Sequence, residues 1–203
     1  MSTTKEQTRL RLLAAARKLL LDRGFNAVGL EEIAAAAGVS RQAVYKSHYA
    51  SKAELLLDLV RHVHVSDHLE ELVQPIREAK TGVAMLEQTI STIVRIEERL
   101  HELSMALIAA AAFDAGAAAA WRDRVEVKRN ALHAALVRTK AEGHLSATWS
   151  VEEAVDVLLA LTSVESYQEL VVENGWKPAR FIEKAWQMCE VSVVKAPKRR
   201  ASH

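Results

Sequence analysis

The chain has 203 residues, half of them apolar, with alanine, leucine and glutamate abundant and only seven glycines and three prolines. That much apolar surface excludes global disorder and allows a real core, and the composition favours helices over strands throughout. The net charge of +1 conceals an asymmetry: residues 1–65 hold ten basic against six acidic side chains, whereas 66–194 hold thirteen against twenty. A basic head on an acidic body fits a head that binds nucleic acid, because phosphates reward local and not total charge.

A single cysteine, Cys189, excludes an intrachain disulfide, and the polar start Met1 to Arg11 lacks the apolar stretch that secretion needs. The longest low-polarity run, Ala106 to Trp121, is mostly alanine and too short to span a bilayer. The expectation is a cytoplasmic protein with no membrane partner.

In chain order, Thr8 to Arg23 has a helical pattern with Leu12, Ala16, Leu19 and Leu20 on one face and Gly24 as its stop. A short helix is expected over Leu30 to Ala37, broken by Gly38. Ser40 then caps a second short helix from Arg41 to about Lys46. Ser51-Lys52-Ala53-Glu54 is a capping box that opens a helix to about Leu72, closed by Pro75. Leu86, Ile90, Ile93 and Ile96, then Leu100, Leu103, Leu107 and Ala111, carry the helical spacing onward. Asp114 and Gly116 mark a break before a long helix from about Ala117 to Glu142, closed by Gly143. Ser150 opens a helix to about Glu173, and Pro178 opens the last, to about Val194. The expected organisation is all-α, about nine helices: residues 1–54 a helix-turn-helix DNA-binding domain, 55–194 a helical regulatory and dimerisation domain, and 195–203 a basic disordered tail.

The functional signal lies between Leu30 and Tyr49. Two short helices around Gly38-Val39-Ser40 make a helix-turn-helix, with small Ala34 at the close approach, Gly38 free to take φ > 0, and Val39 and Val44 as apolar plugs. Arg41, Gln42, Tyr45 and Lys46 are left facing outward. Arginine can fork onto guanine and glutamine onto adenine, so Arg41 and Gln42 are candidates for reading bases. Tyr45, Lys46, His48 and Lys52, beside the cap Ser40, are candidates for holding the phosphate backbone, as are the free N–H groups at the start of the Ser51-capped helix.

From Thr8 through Val60 the sequence resembles the tetracycline-repressor (TetR) family. The likeness rests on Leu12-Leu13, Ala15-Ala16 and Leu19-Leu20, then Gly24-Phe25, Glu32-Ile33-Ala34, Ala37-Gly38-Val39-Ser40, Tyr45-x-x-His48-Tyr49 and Ser51-Lys52-x-x-Leu55-Leu56. Three positions depart from the family pattern: Gly29 where a Ser or Thr normally caps, Gln42-Ala43 for Gly-Thr, and Tyr49 for Phe. The resemblance implies a homodimer on double-stranded, palindromic operator DNA, released by a small-molecule effector in the C-terminal domain. Candidates for an apolar effector site are Met85, Ile90, Ile93, Met105, Phe113 and Trp121. Helices 151–173 and 178–194 each carry two apolar stripes where a surface helix needs one. Val155, Leu158 and Thr162, with Ile182, Trp186 and Cys189, are therefore candidates for a dimer interface.

No cofactor or enzyme chemistry is indicated. Glu98-x-x-His101 has the i, i+3 spacing of di-iron bundles, but no second such pair exists. His64, Asp67, His68 and Glu71 lie near one helix face and read better as a solvated face than as metal ligands.

Overall fold

A computed structural model of the protein describes residues 4–24, 27–66 and 69–195, with the side chains of residues 46, 47 and 64–66 outside that set. The order is α1 (Thr4–Arg23), α2 (Leu30–Ala36), α3 (Arg41–Ser47), α4 (Lys52–Ser66), α5 (Leu69–Glu78), α6 (Gly82–Ala111), α7 (Ala115–Ala141), α8 (Val151–Leu161), α9 (Val164–Tyr167), a π-helical turn (Gln168–Glu173) and α10 (Pro178–Ser192). The all-α expectation holds. None of the described helices is long and apolar enough to cross a membrane. Two compact units emerge, Met1–Leu69 with Glu102–Arg124, and Glu70–His101 with Val125–His203. The boundary expected at 54/55 falls inside α4.

In the first unit, α1 packs on α2 and α4. Leu12, Leu13, Ala16 and Leu20 are buried together with Val28, Ile33, Val44, Leu55, Leu56 and Leu59. Ser51 caps α4 by accepting from the Glu54 N–H at 3.1 Å. The return arm of that capping box shifts by one residue, since the Glu54 carboxylate accepts from the Ala50 N–H at 2.7 Å.

In the second unit, Leu86, Ile90, Leu136, Val155, Leu158 and Phe181 centre one apolar cluster drawn from α6, α7, α8 and α10. Gly82 allows its tightest approach: a Cβ there would lie 2.4 Å from the Thr139 amide nitrogen. The Gly82 N–H donates to the Glu142 carboxylate at 2.7 Å, and Arg138 donates to the Ala79 and Lys80 carbonyls at 3.0 and 2.5 Å.

Several expectations need correction. Pro75 does not close a segment; it lies inside α5, which runs on to Glu78. The helix expected from Ser51 to Leu72 is described over Lys52–Ser66 and again from Leu69, with residues 67 and 68 outside the described set. The helix expected over 151–173 ends at Leu161, because Ser163 caps a new start by accepting from the Ser166 N–H. Val155, Leu158, Thr162 and Cys189, assigned to a dimer face, are each about 1 % exposed and belong to the protomer's own interior. Phe113, assigned to an effector site, is 81 % exposed. The basic tail lies outside the described residues from 196 onward.

Candidate nucleic-acid interface

The turn between α2 and α3 is built by backbone geometry. Gly38 takes φ +65°, the Val39 N–H donates to the Ala34 carbonyl at 2.9 Å and the Gly38 N–H to Ala35 at 3.1 Å. That pair of bonds is a Schellman closure, which needs a residue without a Cβ at its left-handed position. Ser40 is extended and accepts from the Ala43 N–H at 3.2 Å, which starts α3 in a new direction. Val44 is fully buried and pins the helix to the core.

Pinning Val44 inward turns Ser40, Arg41, Gln42 and Tyr45 outward, and all four are exposed. The Arg41 guanidinium donates to Glu31 of α2 at 3.0 Å and lies 5.8 Å from the Tyr45 ring centre. The Tyr45 hydroxyl donates to the same carboxylate at 3.5 Å. The backbone of Lys46 is in α3, but its side chain is outside the described set.

His48 and Lys52 behave differently from this row. His48 is half-buried; burial, then the charge of Lys5, holds its pKa below the ordinary histidine value. Lys52 donates to the Val28 carbonyl at 2.8 Å, so one of its three donors ties the start of α4 to the segment before α2. Burial lowers its pKa as well.

Two features escaped the sequence reading. An open cleft of about 440 Å³ lies between the start of α1 and the start of α3, lined by Lys5, Thr8, Arg11, Ser40, Ala43 and His48. It adds two cations beside the outward row, and the only earlier sign of them was the basic surplus of residues 1–65. The second is Asp58. Arg9 forks onto its carboxylate at 2.7 Å on both arms, and the Tyr49 hydroxyl donates to it at 2.5 Å. These donors hold Asp58 below the usual carboxylate range, the Arg9 bonds most strongly. Tyr49 in place of the family's Phe thus gains a partner, and α1, α4 and the segment after α3 are fixed together.

The departure at Gly29 is met in a similar way. Glycine offers no side-chain cap, but the Glu32 carboxylate accepts from the Gly29 N–H at 3.4 Å and pairs with Arg23. Arg23 also donates to the Ala27 carbonyl at 3.1 Å.

The other assigned sites are less gathered. Met85, Ile90 and Ile93 belong to the second unit, and Met105, Phe113 and Trp121 to the first. Ile182 and Trp186 are half-buried against the apolar cluster of the second unit. Of the four residues considered for a metal, the His64 side chain, Asp67 and His68 fall outside the described residues. Among the described residues no group of three or more metal-ligating side chains gathers.

Residues 12–59 match the family model described as bacterial regulatory proteins, tetR family. The transcriptional repressor BepR of Brucella suis biovar 1 is 29% identical over 178 residues, 84% of each chain. The transcriptional activator FasR of Mycolicibacterium smegmatis is 39% identical over 75 residues, which span 37% of this chain and only 32% of that protein. A transcriptional regulator from Saccharomonospora viridis, solved in complex with choline, has the same fold: TM-score 0.76 at 16% identity, covering 94% of this chain and 99% of that one. Residues 12–59 thus carry the likeness to the tetR family of bacterial regulatory proteins, and the relatives that match beyond them support a DNA-binding transcriptional regulator.

Proposed function

We propose that the protein is a repressor that binds a palindromic operator as a homodimer and leaves it when a small molecule occupies the helical body. The observation that carries the reading is the outward row Ser40, Arg41, Gln42 and Tyr45 on a helix whose start and depth are fixed by Gly38 and Val44. Arg41 and Gln42 read base edges, while Tyr45, Lys46, Ser40 and His48 meet phosphates. Lys52 orders the head by tying the start of α4 to the segment before α2.

Support for repression comes from the Brucella relative, whose match spans most of both chains, while the Mycolicibacterium activator matches only in part. The dimer face is revised from the stripes first assigned. Val157 of α8 and Met188 and Val191 of α10 are exposed large apolar residues, flanked by half-buried Ile182 and Trp186. A homodimer joined through these residues has two-fold symmetry, which a palindromic operator mirrors. The solved neighbour's bound choline supports a small-molecule effector in a fold of this kind.

The test is selection of the purified chain on a random duplex library at two salt concentrations. An enriched palindrome, lost in Arg41→Ala and Tyr45→Ala, is expected. Enrichment of an asymmetric site, or no enrichment at either salt, overturns the reading.

A further inference from the structure

In the second unit, α6 carries Glu97 and His101 one turn apart, hence on one face. Glu97 is 1 % exposed. Its Oε1 accepts from the Lys128 ammonium of α7, while its Oε2 is buried and has no hydrogen-bond partner. His101 Nε2 lies 2.5 Å from Gln168 Oε1. The Gln168 amide N–H donates to Glu173 at 3.1 Å, which sets its oxygen toward the ring. His101 therefore donates through Nε2 and presents a lone pair at Nδ1, which is also buried and without a partner. The ring rests on Tyr167, with centres 5.0 Å apart.

Two buried acceptors on one helix face thus lack donors. Buried polar atoms are almost always satisfied, and an unmet one costs about 1–3 kcal/mol of desolvation unless a water, an ion or a ligand meets it. Gln168 begins the π-helical turn, a local distortion frequent at binding sites. Lys128 already offsets the charge of Glu97, so a bound cation would bring a buried charge with no counter-charge. An anion would face two acceptors. The chemistry left is a neutral group with two hydrogen-bond donors.

We propose that Glu97 and His101 form the polar end of a small-molecule site that takes a neutral ligand carrying two hydrogen-bond donors, such as a pair of hydroxyls. Gln168 and Lys128 act as positioning residues, each holding one acceptor's partner atom so that the other atom faces the ligand. The site gives a chemical class to the effector of the preceding section, and rests on that reading only for the claim that occupancy changes DNA binding.

The experiment uses the full chain and three nearly isosteric probes: resorcinol, 3-fluorophenol and 1,3-difluorobenzene, which carry two, one and no donors. The two hydroxyls of resorcinol stand roughly one helical pitch apart, about 5 Å, a span suited to two side chains one turn apart on a helix. Calorimetric affinity is expected to fall about tenfold with each donor removed. In Glu97→Gln, Lys128 still holds the Oε1 position and an N–H replaces the Oε2 acceptor, so one of the two tenfold steps disappears. His101→Phe keeps the ring against Tyr167 and removes the other. Equal affinity for the three probes overturns the proposal, as does a donor preference that survives both substitutions. Absence of binding at about 10 mM does so too, and means that waters alone meet the two acceptors. Operator affinity is measured beside each titration. Donor-dependent binding that leaves it unchanged keeps the site and removes the effector role.

Discussion

The head and the body use glycine and charge in opposite ways. Gly38 in the head is required by its dihedral: a Cβ there would meet nothing closer than the tip of Arg11 at 3.9 Å. Gly82 in the body is required by space, with neighbouring backbone at 2.4–2.7 Å. The polar side chains of the head are exposed or joined in pairs such as Arg9–Asp58 and Arg23–Glu32. Those of the body include buried acceptors left open at Glu97 and His101. A surface meant for a rigid, regularly charged polymer can be complete before it binds, whereas a site for a small molecule must hold unmet valence in reserve.

The sharpest break of this comparison is the pair of glycines. Gly82→Ala forces helix backbone apart and is expected to cost about 3 kcal/mol, the upper range for overpacking. Gly38→Ala meets no obstacle and is expected to cost about 1 kcal/mol of left-handed strain. Urea unfolding of both variants measures the difference. Equal losses would mean that crowding at Thr139 relaxes freely.

Asp58→Asn comes next. It removes the acceptor shared by Arg9 and Tyr49, and hydrogen bonds to a charged partner of this part-buried kind give an expected loss of about 2 kcal/mol. The pH dependence has a definite sign. Asp58 is held below its ordinary range in the folded state, so its contribution is present above that range and is lost as pH falls through it. Acid unfolding should therefore begin at about pH 4 and steepen below, and Asp58→Asn should flatten that limb. A limb unchanged in the variant would assign the acid sensitivity to other carboxylates.

How much of this was legible in sequence follows from the range of the interactions. The helix-turn-helix could be read because its determinants are local: Gly38, Ser40 and Val44 act within a few residues, at fixed spacing. Asp58 could not, because its partners are 49 and nine residues away. The split of the helix over 151–173 had a local sign, Ser163 as a cap, but the apolar period runs straight through it. Periodicity reports that Val155, Leu158 and Cys189 are buried and is silent on what buries them, so a second stripe was assigned to a partner chain when the protomer itself covers it. Glu97 carries no sign in sequence, and His101 stood out only for its spacing from Glu98. Their meaning lies in partners that are missing.

Within the head, base reading separates from charge. Arg41→Ala removes a fork of donors and should relax preference at one operator position by about 1 kcal/mol, with the salt slope little changed. The measurement is affinity for the selected operator and for its single-base variants. A uniform loss across all variants would make Arg41 a phosphate contact instead.

Lys5→Ala should have the smallest effect on affinity and the most informative dependence on conditions. Lys5 lines the cleft beside Ser40 and is also the charge that, after burial, depresses the pKa of His48. As a phosphate contact, its removal should lower the slope of log affinity against log salt by about one, equally for every operator variant. Its removal should also let the pKa of His48 rise toward the ordinary value, leaving burial as the remaining cause. Protonated His48 then appears at a higher pH in the free protein, which proton NMR of the ring follows directly. The two readouts have different sources: the slope reports ions released from DNA, and the titration reports a repulsion inside the head. A changed slope with an unmoved His48 would place Lys5 on the DNA and too far from the ring to be felt. A moved His48 with an unchanged slope would make the cleft an internal feature of the head and remove it from the DNA interface.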